Sequence, residues 1–167
     1  GMKQVDWRPE WNVLDIGCGG GANVKRLLKL CPQGKVYGMD LSEESVAFAR
    51  RHNAGELDRR CFIQQGDVCS LPYGDGAFDA VTAFETVYFW SSVSKALAEV
   101  FRVIRKGGCF LISLEASDPE LGKAWTERIK GMTVYGAEEL KQLLSQAGFS
   151  DIRVIQKKEE LHIIAHK

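Results

Sequence analysis

No stretch of this sequence approaches the roughly 18 consecutive apolar residues of a membrane span, and its opening lacks the pattern of a secretory signal. A cytoplasmic protein with no membrane span is therefore the expectation. Charge of one sign is missing too. The 22 basic residues are balanced by 22 acidic ones. That leaves no broad basic field, so no nucleic-acid partner is expected. Histidine is scarce, and His52 and His162 read as surface or sheet residues rather than bases. The five cysteines, Cys18, Cys31, Cys61, Cys69 and Cys109, form no CxxC pair. Metal sites need convergent ligands, and no spacing here supplies them. An odd cysteine count without a signal favours reduced thiols, most of them small core residues.

What the chain does have is 45% hydrophobic residues over 167 positions. That suits one domain over 1–167, burying roughly 70% of its unfolded-chain surface. Gly1 reads as the scar of a cleaved tag ahead of Met2. Apolar runs at Trp11–Ile16, Val36–Met39, Cys61–Ile63, Phe78–Phe84 and Cys109–Leu114 predict strands. Helical spacing predicts helices over Ala22–Leu30, from Ser42 to about Asn53, over Val93–Ile104 and over Ala137–Gln146. Ser42 is the expected N-cap of the second, and Lys106-Gly107-Gly108 the expected glycine stop of the third. Leu71 to Gly76 reads as a turn-rich loop. Two last strands, Ile152–Ile155 and Leu161–Ala165, are separated by Gln156 to Glu160 alone. That gap is too short for a parallel crossover, so these strands pair as an antiparallel hairpin. The fold class expected is α/β: a Rossmann-like, doubly wound, seven-stranded sheet, mostly parallel with a reversed last strand.

Strand one runs into Asp15-Ile16-Gly17-Cys18-Gly19-Gly20-Gly21 and then a helix. A strand, a glycine turn and a helix make a ligand cradle at the carboxyl end of a sheet. Taken alone, this signal also fits a dinucleotide fingerprint through Gly17, Gly19 and Ala22. Asp15 favours another ligand. A diphosphate gains little from a nearby carboxylate, whereas an ammonium beside a sulfonium is attracted to it. Asp40, after strand two, can accept hydrogen bonds from ribose hydroxyls, and Asp67, after strand three, from an adenine amino group. Three acids after three consecutive strands are expected along one edge of one pocket. Each also has a plain turn or capping role open to it. Asp79 reads as structural, capping backbone at the start of strand four.

Val13-Leu14-Asp15-Ile16-Gly17-Cys18-Gly19-Gly20-Gly21, Val36-Tyr37-Gly38-Met39-Asp40-Leu41-Ser42, Gly66-Asp67-Val68 with Leu71-Pro72-Tyr73, Phe78-Asp79-Ala80-Val81 and Val103-Ile104-Arg105-Lys106-Gly107-Gly108 follow one another in order. Together with the terminal hairpin, they resemble the motifs of class I S-adenosylmethionine-dependent methyltransferases of the small-molecule, UbiE-like type. The resemblance covers nearly the whole chain. It implies S-adenosylmethionine as cofactor, S-adenosylhomocysteine as product and a small-molecule acceptor. It also implies that Gly17, Cys18 and Gly19 hold the methionine portion with Asp15 near its ammonium. Asp40 then binds ribose, Asp67 and the Val68 amide bind adenine, Leu41 and Met39 flank the ring, and Phe84 contributes from the end of strand four.

Methyl transfer from a sulfonium needs orientation and a dry site, and needs a base only when the acceptor must lose a proton. Glu85 and Tyr88, in Glu85-Thr86-Val87-Tyr88-Phe89-Trp90, are the candidate catalytic residues, orienting an acceptor. Phe89 and Trp90 would exclude water, and Glu115 is a further candidate acceptor contact. Relatives of this type carry a longer helical segment before strand one. Here Trp7 and Trp11 are expected to replace part of that lid, with a partner chain, such as the second copy in a homodimer, as another way to close the pocket. Two other readings stand beside methyl transfer: a non-catalytic S-adenosylmethionine-binding module and an NAD-dependent oxidoreductase.

Overall fold

A computed structural model describes residues 1–118, 123–158 and 160–167. Its strands are β1 (Val13–Ile16), β2 (Val36–Asp40), β3 (Cys61–Gln65), β4 (Phe78–Phe84), β5 (Ile104–Leu114), β6 (Ser150–Lys157) and β7 (Glu160–His166). They form one sheet in the order β3-β2-β1-β4-β5-β7-β6. The first five are parallel to one another, and β7 runs antiparallel to both β5 and β6. The hairpin is therefore the device that reverses one strand; Glu159, in its expected turn, lies outside the described residues.

Burial explains why β1 carries no polar alternation. All four of its residues are buried, as a central parallel strand covered on both faces requires. Alternate residues serve opposite faces. Leu14, Ile16, Val81, Phe110 and Ile112 join Leu97, Val100, Leu140 and Leu144 in one core layer. These last four belong to α3 (Val93–Val103) and α5 (Ala137–Gln146). Val13, Val36, Ala80 and Leu111 join Val24, Leu27, Val46 and Ala49 in the other layer. There the helices are α1 (Ala22–Leu30) and α2 (Glu43–His52). The Ser42 hydroxyl caps α2 by accepting from the Ser45 amide at 3.2 Å. A short helix α4 (Lys123–Arg128) gave no signal in the sequence.

Several strand ends shift by one or two residues, and the α3–β5 boundary changes character. Helix α3 stops at Val103, and Lys106-Gly107-Gly108 lies inside β5 rather than ending a helix. Ile104 already pairs with Phe78, and the register shifts before Ala80 meets Cys109. The glycines serve that irregularity: Gly107 has φ 75°, and a Cβ on Gly108 would lie 2.6 Å from the Asp79 carbonyl oxygen.

Strand order turns back between β1 and β4, so a crevice opens beyond their carboxyl ends, where ligands bind in open α/β sheets.

Candidate cofactor cleft and its neighbouring cavity

The glycine loop turns sharply as it leaves β1. Gly17 and Gly19 have φ of 66° and 49°, the left-handed region that side chains disfavour. A Cβ on Gly17 would lie 2.0 Å from Thr86 Oγ1, whereas one on Gly19 would meet nothing within 4 Å. The first glycine thus lets two loops approach, and the second leaves open space toward the cleft. Asp40 fastens this loop. One carboxylate oxygen accepts from the Gly19 amide at 2.8 Å and the other from the Ser42 amide at 2.9 Å. An ionised carboxylate has about four acceptor positions, so two remain for a ligand.

Beyond the loop lies a cleft of about 650 Å³, within the usual range of small-molecule sites. Of the candidate residues, Gly17, Gly19, Asp40, Leu41, Asp67, Val68 and Glu85 line it. Asp67 keeps its turn role as well, since its side chain accepts from the Cys69 amide at 2.8 Å. Thr86, Ser91, Phe89 and Trp90 also line the cleft. Among the described residues, its lining holds three carboxylates, Asp40, Asp67 and Glu85, and no lysine or arginine.

Four candidates sit elsewhere. Asp15 was expected on the pocket edge, but it is buried in the sheet with 1% exposure. Its place in β1 sets it opposite Thr82 of β4, whose hydroxyl donates to it at 2.6 Å. Burial pushes the Asp15 carboxyl up to about 7, the Thr82 hydrogen bond opposing and the charge of Asp40 adding to the rise. The third acid of the cleft is therefore Glu85. Cys18 is also buried beneath the loop, where desolvation holds its thiol well above the usual range. Tyr88 is buried behind the cleft; its hydroxyl donates to Glu85 Oε2 at 3.0 Å and accepts from the Ala116 amide at 2.9 Å. Its hydroxyl holds Glu85 in place, and its side chain is not part of the cleft lining among the described residues.

Phe84 faces a second cavity of about 920 Å³, which shares Glu85 with the first and also takes in Glu115, Ser113 and His162. Glu85 stands at the junction with φ 53°, rare for a residue with a side chain. Burial raises the pKa of its carboxyl, opposed by hydrogen bonds that include Tyr88. Trp7 and Trp11 do not cover either opening. They pack edge to face, 6.0 Å apart, against the core layer of α1 and α2, and Met2 to Gln4 line the second cavity instead.

Thr82, Thr86, Ser91 and Ser113 went unnoticed in the sequence, because hydroxyl residues in strands and loops carry no periodic signal. The roles of Thr82 and Ser113 depend on strand register, which brings Thr82 to Asp15 and Ser113 to His162.

Comparison with known proteins agrees with this geometry. The family model described as Methyltransferase domain matches residues 14–112. A demethylmenaquinone methyltransferase of Symbiobacterium thermophilum is 36% identical over 120 residues, covering 71% of this chain and 47% of that protein. Among solved structures, a SAM-dependent methyltransferase from Aquifex aeolicus has 26% identity and a TM-score of 0.81, covering 98% of this chain and 86% of its own. The YcgJ protein of Bacillus subtilis has 28% identity and a TM-score of 0.80, over 93% of this chain and 68% of its own. The chain spans about half, or less, of the length of the first curated relatives it matches.

Proposed function

We propose, because this chain belongs to the class I S-adenosylmethionine-dependent methyltransferases, that its cleft binds S-adenosylmethionine and passes the methyl group to a small-molecule acceptor, leaving S-adenosylhomocysteine. The observation that carries this reading is the charge of the cleft: among the described residues, three carboxylates and no cationic side chain line it. Such a lining attracts a sulfonium nucleoside with an ammonium tail and repels a diphosphate.

The open space over Gly19 fits the methionine portion. Asp40 offers its two remaining acceptor positions to the ribose hydroxyls, and Asp67 with Val68 takes the adenine edge. Leu41, 69% exposed at the rim, covers one face of the ring. Asp15 acts through the loop from below rather than by contact. When bound, the sulfonium supplies an activated methyl whose leaving group departs uncharged, so the protein's part is to orient and to keep water out. Phe89 and Trp90 exclude water on the cleft side. Glu85, fixed by Tyr88, faces both spaces and aligns the acceptor with the methyl.

The test is transfer of labelled methyl from S-adenosylmethionine to fractionated small metabolites. Wild type should label at least one fraction. Asp40→Ala should lose about 1.5–3 kcal/mol of cofactor binding through hydrogen bonds to a charged acceptor, read as a raised KM for the cofactor. Unchanged KM in that variant would remove the ribose assignment.

A further inference from the structure

The second cavity contains a chain of groups that cofactor binding leaves unexplained. Ser113, on β5, pairs in register with His162, on β7. The Ser113 hydroxyl lies 3.1 Å from His162 Nδ1. On the far side of the ring, Nε2 lies 3.0 Å from Glu160 Oε1 and 3.3 Å from the Gly1 amino nitrogen. The imidazole is nearly buried, at 8% exposure, whereas Ser113 is half-buried and faces the cavity. Glu85 borders both this cavity and the candidate cofactor cleft, so an acceptor lying against Ser113 would adjoin the space proposed for the cofactor.

A hydroxyl, an imidazole and a carboxylate in series form a proton path with a fixed direction. Glu160 can only accept at Nε2, whereas the Gly1 ammonium can only donate there; when the nearer carboxylate accepts from Nε2–H, the Nδ1 lone pair is left to accept from serine. That order sets the tautomer and steadies the imidazole when it takes up a second proton, the part an aspartate plays beside a catalytic histidine.

We propose that Ser113 and His162 relay a proton from the hydroxyl group of the methyl acceptor, with Glu160 as the positioning residue; this rests on the methyl-transfer reading above. The acceptor O–H bond breaks as its proton passes to Ser113 Oγ, and the serine proton passes to His162 Nδ1. The acceptor oxygen forms its bond to the methyl carbon, and the sulfur keeps the electron pair of the bond it loses. His162 then returns the proton to water. Such a path selects a substrate class. A carboxylic acid is already ionised at neutral pH and needs no base, so the acceptor is a weakly acidic hydroxyl compound of the phenol or enol type.

Two measurements test this. In the cofactor-free protein, ¹⁵N NMR of His162 should show hydrogen on Nε2 and a bare Nδ1, with the Nδ1 resonance moved in Ser113→Ala. Hydrogen on Nδ1 would overturn the relay. The second is methyl transfer from labelled S-adenosylmethionine to a series of para-substituted phenols, from 4-methoxyphenol to 4-nitrophenol. His162→Gln should lower kcat about a hundredfold or more on the weakly acidic members, and the deficit should shrink toward 4-nitrophenol, which ionises unaided. Cofactor affinity and melting temperature should stay near wild type. Ser113→Ala, the smaller change, should show the same trend. A uniform loss across the series, no loss, or a wild type that binds cofactor yet methylates no phenol would overturn the proposal. A wild type that binds no S-adenosylmethionine would overturn the methyl-transfer reading itself, and the proposal with it.

Discussion

Asp15 and Asp79 occupy similar places in the sequence, each within a buried strand, yet their surroundings set them opposite tasks. Asp79 accepts from the Asn12 amide at 2.8 Å and from Arg105 at 2.6 Å, which bears out its reading as a structural acid. Asp15 is buried and accepts from the Thr82 hydroxyl, and the charge that acts on it among the described residues, that of Asp40, opposes its ionisation. The native state therefore binds a proton at Asp15 more tightly than the unfolded chain does. With the folded pKa raised, stability contributed by the protonated form declines as pH rises from about 4 to about 7. Asp15→Asn should remove that slope: the difference in unfolding free energy between wild type and variant should change by up to about 1.4 kcal/mol per pH unit inside the window. Chemical denaturation at several pH values reads this directly, and parallel curves for the two proteins would show that Asp15 is not held protonated.

At the scale of elements, the strands and helices that could be read from apolar spacing agree closely with those observed, because burial between two helix layers enforces that spacing. Helix α1 and strand β4 have the expected bounds, and the closing hairpin forms as its short connection requires. What escaped the sequence is set by cross-strand register and by long-range polar contacts. The α3–β5 boundary moved because Ile104 found a partner in Phe78. The cleft candidates nearest the strand ends were legible, whereas Asp15 and Tyr88 turned inward for want of any local signal of direction. The loop from Leu71 to Gly76 gives a further case. It was visible only as turn-forming residues, but α3 holds it: Arg102 donates to the carbonyl oxygens of Leu71 and Tyr73 at 3.0 and 2.7 Å, and Glu99 accepts from the Leu71 amide at 2.8 Å. Arg102→Ala should cost about 2 kcal/mol, and native-state hydrogen exchange should quicken at the Leu71 and Gly76 amides before the core opens. Unchanged protection there would mean the loop is held by its own turn geometry.

Considered whole, the molecule places one anionic cleft at the switch point of a sheet and opens a second, mixed-charge cavity beside it, with Glu85 between. Among the described residues, no helix is long and apolar enough to cross a membrane. The glycine loop alone suits either a dinucleotide or a sulfonium nucleoside; the charges around it distinguish them. Titration calorimetry on the cofactor-free protein compares the two ligands under one set of conditions. S-adenosylmethionine and S-adenosylhomocysteine should both bind, the first losing affinity as salt screens the carboxylates, and NAD should give no measurable heat of binding. Saturable binding of NAD with none of S-adenosylmethionine would contradict the account.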